Sequence, residues 1–325
     1  MRLFAGVDLG ATNTRAVVGT AEEAILGSAR QSTPQGPSGI DVTEGVLATL
    51  RSACEDADVA PQDVEAAGIG SFGPFDLAEG MVVEPANLPA TVDRIPLVGP
   101  VRALIDSDRV YLHNDTTAGV IGERFHASEN PADMVYLTIS TGIGAGVTVD
   151  GHVLAGWDGN AGEVGHFVVD PEGRMTCGCG RDGHWEAYAS GTGIPQYARY
   201  LDQHLEDCPT DLALEDEDFS AIDVFEAYES DPLADETVDR VARWNAIGLT
   251  NVVNAYAPIV VAVGGPVALE NESAVIDPLR DALDELVFAN VPEVRPTTFG
   301  EDIVVRGALA SAMTDGTGDR TRLRR

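Results

Sequence analysis

Two stretches of this chain repeat a single theme: an apolar run, a turn of Gly and Thr, and a second apolar run. The first reads L-F-A-G-V-D-L-G-A-T-N-T-R-A-V-V-G from Leu3, the second M-V-Y-L-T-I-S-T-G-I-G-A-G-V-T-V from Met134. Short apolar runs bounded by Gly predict strands, so each stretch predicts a hairpin and the pair predicts an internal repeat. After the first hairpin, E-E-A-I-L-G-S-A-R-Q-S-T reads as a third strand and Gly39 to Ala57 carries apolar positions at helical spacing. A-A-G-I-G-S-F-G-P-F-D then enters a polar loop as a strand. P-L-V-G-P-V-R-A-L-I-D predicts a second helix, R-V-Y-L-H-N-D a strand and T-T-A-G-V-I-G-E-R-F-H-A a third helix. Such alternation predicts an α/β chain with helices packed on mixed sheets. At 325 residues the chain exceeds one ordinary core, so two lobes with a cleft between them are expected.

The first turn, Asp8 to Thr14, follows its strand directly. Gly permits close backbone approach, amide and Thr hydroxyl groups donate to anionic oxygens, and Asp8 can hold Mg²⁺ through water, so the turn suits a phosphate. A purely structural hairpin would need Gly as well. The second turn, Ser140 to Gly146, strengthens the phosphate reading. It lacks the Gly-Lys-Ser/Thr ending of a P-loop, and a strand rather than a helix follows it, which sets aside the dinucleotide fingerprint.

Asn114-Asp115 ends the strand R-V-Y-L-H-N-D where a helix begins. There Asp115 can take a proton from an attacking hydroxyl while Asn114 binds a neighbouring one, or the Asp can simply cap the helix. The densest run is G-E-V-G-H at 162–166 followed by C-G-C-G-R-D-G-H-W-E at 177–186. His166, Cys177, Cys179 and His184 offer the two nitrogens and two sulfurs that tetrahedral Zn²⁺ accepts with no position left for water, which makes the site structural. Zinc on one ring nitrogen of His166 would leave the other for a substrate, with Glu163 and Glu186 beside it. The alternative is a reduced Cys pair in a surface loop. Cys54 and Cys208 receive no role, and a disulfide framework is not expected.

Charge narrows the partners. There are 53 acidic and 20 basic residues, all of the basic ones Arg, for a formal net charge of −33. Self-repulsion of that size is screened at about 1 M salt, where the Debye length is about 3 Å. The composition resembles that of proteins from salt-accumulating halophiles and opposes nucleic acid as a partner. The Asp/Glu-dense span 202–239 reads as solvated surface, and the basic end G-D-R-T-R-L-R-R as a frayed tail. No run approaches eighteen apolar residues and no leader pattern opens the chain, so a cytoplasmic protein without a membrane partner is expected.

Taken together, D-L-G-A-T-N-T-R, N-D-T-T-A at 114–118, S-T-G-I-G-A-G, E-V-G-H and C-G-C-G-R-D-G-H-W-E closely resemble the ROK family of sugar kinases and repressors, over nearly the whole chain. The resemblance implies the two-lobed, ribonuclease H-like fold shared with actin, the Hsp70 ATPase and hexokinase, in dimers or tetramers. One lobe would span 1–117, completed by a helix near 303–318, and the other 118–302. It implies ATP-dependent phosphorylation of a hexose, glucose first and fructose, mannose or an N-acetylhexosamine next. Asp115 would be the general base on the 6-hydroxyl, with Asn87, Asn114, Glu163, His166 and Glu186 on the remaining hydroxyls. Asp8, Gly10, Ala11, Thr12 and Asn13, with Thr141, Gly142 and Gly144, would hold the phosphates of Mg²⁺-ATP, and Gly264-Gly265 would lie against adenosine. His184 stands where the family's zinc motif has a third Cys. The family's repressors carry a winged-helix domain ahead of these lobes, and with the phosphate turn starting at Asp8 none is expected here.

Overall fold

The computed structural model describes residues 1–22, 24–288 and 290–324. By contact density the chain forms two compact units. The first comprises Met1–Tyr136, Gly146–Gly162 and the segment from Glu301 onward, the second Leu137–Ala145 and Glu163–Gly300. A boundary at 117 would cut a helix that starts at Asp115, and the grouping keeps that helix whole in the first unit.

The first unit opens with the expected meander, β1 (Leu3–Leu9), β2 (Asn13–Thr20) and β3 (Ile25–Ser32), and α1 (Gly39–Asp56) returns the chain to β4 (Val64–Ser71). Ser38 and Asp41 start α1 as a reciprocal capping box. Its Val42, Val46, Leu50 and Ala53 recur every three or four residues and are fully buried. A small sheet follows, β5 (Phe75–Asp76), β6 (Met81–Val83) and β7 (Arg94–Pro96), then α2 (Val98–Ile105), β8 (Val110–Asn114) and α3 (Asp115–His126). The main sheet runs β3-β2-β1-β4-β8, antiparallel through β1 and parallel from β1 to β8.

Strand alternation sorts β1 between two cores. Ala5, Val7 and Leu9 join the α1 side with Val42, Val46 and Leu50, while Phe4 joins Ile121 and Phe125 of α3 and Val305 and Leu309 of the C-terminal helix Ile303–Met313. Asp8 shares the parity of Phe4 and so turns toward the α3 side.

In the second five-stranded sheet, β9 (Met134–Ile139), β10 (Ile143–Val149), β11 (His152–Val153), β12 (Val260–Gly264) and β13 (Glu293–Pro296) run in the order β11-β10-β9-β12-β13. Counted within each copy, both sheets have the order third, second, first, fourth, fifth, which is the duplication read from the two hairpins. The second unit contains α4 (Glu186–Ala189), α5 (Gly193–His204), α6 (Ala221–Glu226), α7 (Pro232–Tyr256), α8 (Pro266–Leu269) and α9 (Glu272–Leu286). Asp231 caps α7 through Leu233 and Ala234 N–H and is buried, so this acid of the 202–239 span is structural rather than solvated.

As far as Arg324 the basic end is ordered against the fold rather than frayed. It forms a short 3₁₀ helix over Arg320–Arg324. There the Arg320 guanidinium donates to the Ala127 (2.6 Å) and Ser128 (2.8 Å) carbonyls at the end of α3, a helix terminus short of donors. No helix among the described residues is long and apolar enough to cross a membrane.

Candidate functional site

In the first unit the turn between β1 and β2 is tied down through its acceptors. Thr33 Oγ1 donates to the Gly10 carbonyl (2.7 Å), Gln35 Nε2 to Ala11 (2.9 Å) and the Thr33 amide to Thr12 (2.9 Å), while Gly10 N–H closes the turn on Asn13 (3.0 Å). With those carbonyls engaged, the amides of Ala11 and Thr12 and the exposed Thr12 hydroxyl are the polar groups it can offer, and they are donors suited to an anion. Thr33 and Gln35 lie some twenty residues downstream, beyond the reach of a local motif.

Asp8 stands just before that turn, opposite Arg15 in the β1–β2 register. Burial pushes its carboxyl up to about 7, Arg15 opposes the shift, and Asp115, Asp302 and Glu301 add to it. Arg15 is itself drawn away by the Glu301 carbonyl (2.9 Å) and carboxylate (2.5 Å). Asp8 and Asp115 are thus within electrostatic reach, as their shared side of the sheet requires.

Asp115 is the first residue of α3, and the capping falls to its neighbour. Asn114 Oδ1 accepts from the Thr116 amide (2.9 Å) and hydroxyl (2.7 Å), which leaves its Nδ2 to donate to a ligand. The Thr116 amide also lies 2.7 Å from Asp115 Oδ1. Two glycines fix this helix start by close approach. A methyl at Gly146 would stand 1.9 Å from the Thr116 carbonyl, and one at Gly307 1.7 Å from that of Ala118. Gly146 ends the S-T-G-I-G-A-G run, so part of that motif serves packing under α3 rather than a phosphate. His113, one residue before Asn114, is held down to about 4 by burial, and its Nε2 meets Ser311 Oγ of the C-terminal helix at 2.7 Å. Asn87 is exposed in the loop between β6 and β7.

In the second unit, the Ser140 to Gly144 turn is braced by S-G-T at 190–192: Gly191 N–H donates to the Ser140 carbonyl (2.7 Å) and Thr192 Oγ1 to that of Thr141 (2.7 Å). Glu186 reaches the same turn, its Oε2 accepting from the Ile143 amide at 2.9 Å, and a methyl at Gly142 would come within 2.5 Å of that oxygen. A residue read as a sugar ligand and a turn read as a phosphate grip are therefore in contact. Gly265, at φ +87°, follows β12 beside the end of β9, where a methyl would stand 2.3 Å from the Ile139 carbonyl. The Gly264-Gly265 pair thus lies next to the strand that feeds the Ser140 turn. The bracing by residues 190–192 was not anticipated, although S-G-T-G is itself a Ser/Thr/Gly run.

His166, Cys177, Cys179 and His184 converge, with one ligand atom from each lying within 4.8 Å of the others. Cys177 Sγ is 3.8 Å from His166 Nδ1, and Cys179 Sγ is 3.3 Å from His184 Nδ1. Tetrahedral zinc with ordinary Zn–S and Zn–N bonds sets sulfur and nitrogen about 3.6 Å apart, so the four residues fit that ion, His184 included. The second nitrogen of His166, Nε2, lies 3.9 Å from Glu163 Oε2, and Cys177 Sγ lies 3.6 Å from Glu186 Oε1. The cluster therefore touches both acids named beside it. Burial pushes the Cys177 thiol up to about 11, so binding a cation there would displace its proton.

Asp170, which sequence reading passed over, holds this loop in shape. Its buried carboxylate accepts from Tyr188 OH (2.6 Å), Arg174 Nη1 (2.8 Å) and the amides of Glu172 and Arg174. Burial works against its charge, yet these donors keep it below the usual carboxylate range.

The chain matches the ROK family along residues 4–314. A glucokinase of Pyrobaculum calidifontis is 35% identical over 315 residues, covering 96% of this chain and 95% of that one. Among solved structures, a ROK hexokinase from Thermus thermophilus has a TM-score of 0.79 at 31% identity, over 95% of this chain and 97% of that one. A ROK family glucokinase from Streptomyces griseus, in complex with glucose and AMPPNP, has a TM-score of 0.73 at 30% identity, over 95% and 99%.

Proposed function

Since the chain belongs to the ROK family, we propose that it is a sugar kinase, specifically a glucokinase, which transfers the terminal phosphoryl group of ATP to the 6-hydroxyl of glucose. The observation that carries the reading is the start of α3, where Asn114 caps the helix and Asp115 stands beside it in a position fixed by Gly146 and Gly307.

In this reading Asp115 accepts the 6-hydroxyl proton as that oxygen forms its bond to the γ-phosphorus and the bond from γ-phosphorus to the ADP oxygen breaks. Asn114, Glu163, His166 and Glu186 bind the other hydroxyls, and Asn87 joins them from its loop. The Gly10 to Asn13 turn, through its Ala11 and Thr12 donors, and the Thr141 to Gly144 turn take the phosphates, and Gly264-Gly265 the adenosine. Mg²⁺ on the donor phosphates supplies positive charge against the charge developing in transfer. Asp8 would hold that ion, and its carboxyl, raised in the metal-free protein, would ionise more readily next to a cation. His166, Cys177, Cys179 and His184 would hold zinc as a structural ion, and the loop so clamped would keep Glu163 and Glu186 in place. The excess acid is matched to concentrated salt.

The test is ADP release from Mg²⁺-ATP in about 2 M KCl, where charge is screened, with a panel of hexoses. Turnover led by glucose supports the reading. Turnover led by fructose, mannose or an N-acetylhexosamine keeps the kinase and replaces the sugar. ADP release that no sugar stimulates refutes it.

A further inference from the structure

Trp157 stands almost wholly in water, with 93% of its surface exposed, whereas Trp185 is fully buried and Trp244 is half-buried. An indole brings a large, rigid apolar face whose burial against another apolar surface is favourable. It lies in L-A-G-W-D-G-N-A-G at 154–162, a loop with left-handed backbone at Gly156 (φ +74°), Gly159 (+85°) and Gly162 (+96°).

The loop is laid beside the site within the first unit. A methyl at Gly73 would stand 3.0 Å from Asn160 Oδ1, and one at Gly159 3.3 Å from Leu77 Cδ1. Gly73 is two residues beyond Ser71, the residue paired with Asn114 in the β4–β8 register. The loop that holds Trp157 therefore meets Gly73 and Leu77 through Asn160 and Gly159, just past the carboxyl end of β4, whose Ser71 is paired with Asn114 at the end of β8. Half-exposed Leu77, 44% accessible, flanks it.

We propose that Trp157 is the aromatic platform of the acceptor site, covering the C–H face of the pyranose ring whose hydroxyl Asp115 deprotonates; this rests on the sugar-kinase reading above. A ring with all its hydroxyls equatorial presents flat C–H surfaces that an indole can cover. An axial hydroxyl on the covered face holds the indole off and loses that contact. Trp157 thus favours gluco-configured hexoses by shape, beside the hydroxyl contact of Asn114 in the same unit.

The test compares Trp157→Ala and Trp157→Phe with the wild type. At this exposure both fold as the wild type does. Trp157→Ala is expected to raise the glucose KM roughly tenfold with kcat and the ATP KM within twofold, and Trp157→Phe to recover most of that loss. Without nucleotide, glucose is expected to shift wild-type tryptophan emission to the blue, and the shift is expected to vanish in Trp157→Phe. If glucose-dependent turnover is present but the glucose KM of Trp157→Ala stays within twofold, or the emission shift survives in Trp157→Phe, the platform is refuted and the kinase stands. If no hexose stimulates ADP release in the wild type, both are refuted.

Discussion

Asp8→Asn should make the protein more stable and the enzyme inactive, and the stability gain should depend on pH in a defined direction. Burial is the largest influence on this carboxyl and lifts it from 3.8 to about 7. At about 1.4 kcal/mol per pH unit, that span is roughly 4 kcal/mol of penalty on the charged form in the metal-free native state. The native state then binds the proton more tightly than the unfolded chain, so the stability Asp8 contributes falls as pH rises from 3.8 to about 7. Above that range the full penalty stands. Asparagine carries no charge and escapes it. In concentrated KCl with chelator, urea unfolding should show the variant more stable by about 2–4 kcal/mol at pH 8.5, with the difference closing near pH 4. Salt screens the charges of Arg15, Asp115, Asp302 and Glu301 but leaves burial, so the gain should survive in high salt. A variant that is less stable at pH 8.5, or shifted equally at both pH values, would refute the burial argument.

Metal analysis after chelator-free preparation should find near one zinc per chain. Cys177→Ser should lose it and raise the sugar KM more than the ATP KM, because Cys177 adjoins Glu186; a zinc-free protein with native kinetics would oppose the structural site. Gly307→Ala, which drives a methyl to 1.7 Å from the Ala118 carbonyl, should cost about 3 kcal/mol, read as a lowered melting temperature, and lower kcat through α3; an unchanged melting temperature would contradict the packing. With a net charge of −33, melting temperature should climb as KCl rises from about 0.1 M to about 2 M, and stability undiminished in dilute buffer would count against a halophilic design.

The duplicated sheet was legible because its signal is local. Each strand–turn–strand run has its own apolar alternation and its own Gly/Thr break, and the same sheet order follows in both copies. The convergence of His166, Cys177, Cys179 and His184 was legible because ligand chemistry survives the reading of residue types alone. What was not legible depends on the third dimension. Thr33 and Gln35 bind the first turn from a neighbouring strand and loop, and Asp170 works through Tyr188, eighteen residues away. Gly146 reads as one more phosphate-loop glycine until the Thr116 carbonyl is found against it. The tail misled for a related reason: four Arg in eight residues resemble a solvated end, and only the exposed carbonyls of Ala127 and Ser128 give Arg320 a place to bind.

The most direct measurement is glucose-stimulated ADP release by the wild type and by Asp115→Asn, side by side in about 2 M KCl, with glucose binding followed by calorimetry. Glucose-dependent turnover that falls roughly 100- to 10,000-fold in the variant, while glucose still binds, is the result expected of a general base at Asp115. Turnover undiminished in Asp115→Asn, or no glucose-dependent ADP release from the wild type, would contradict it.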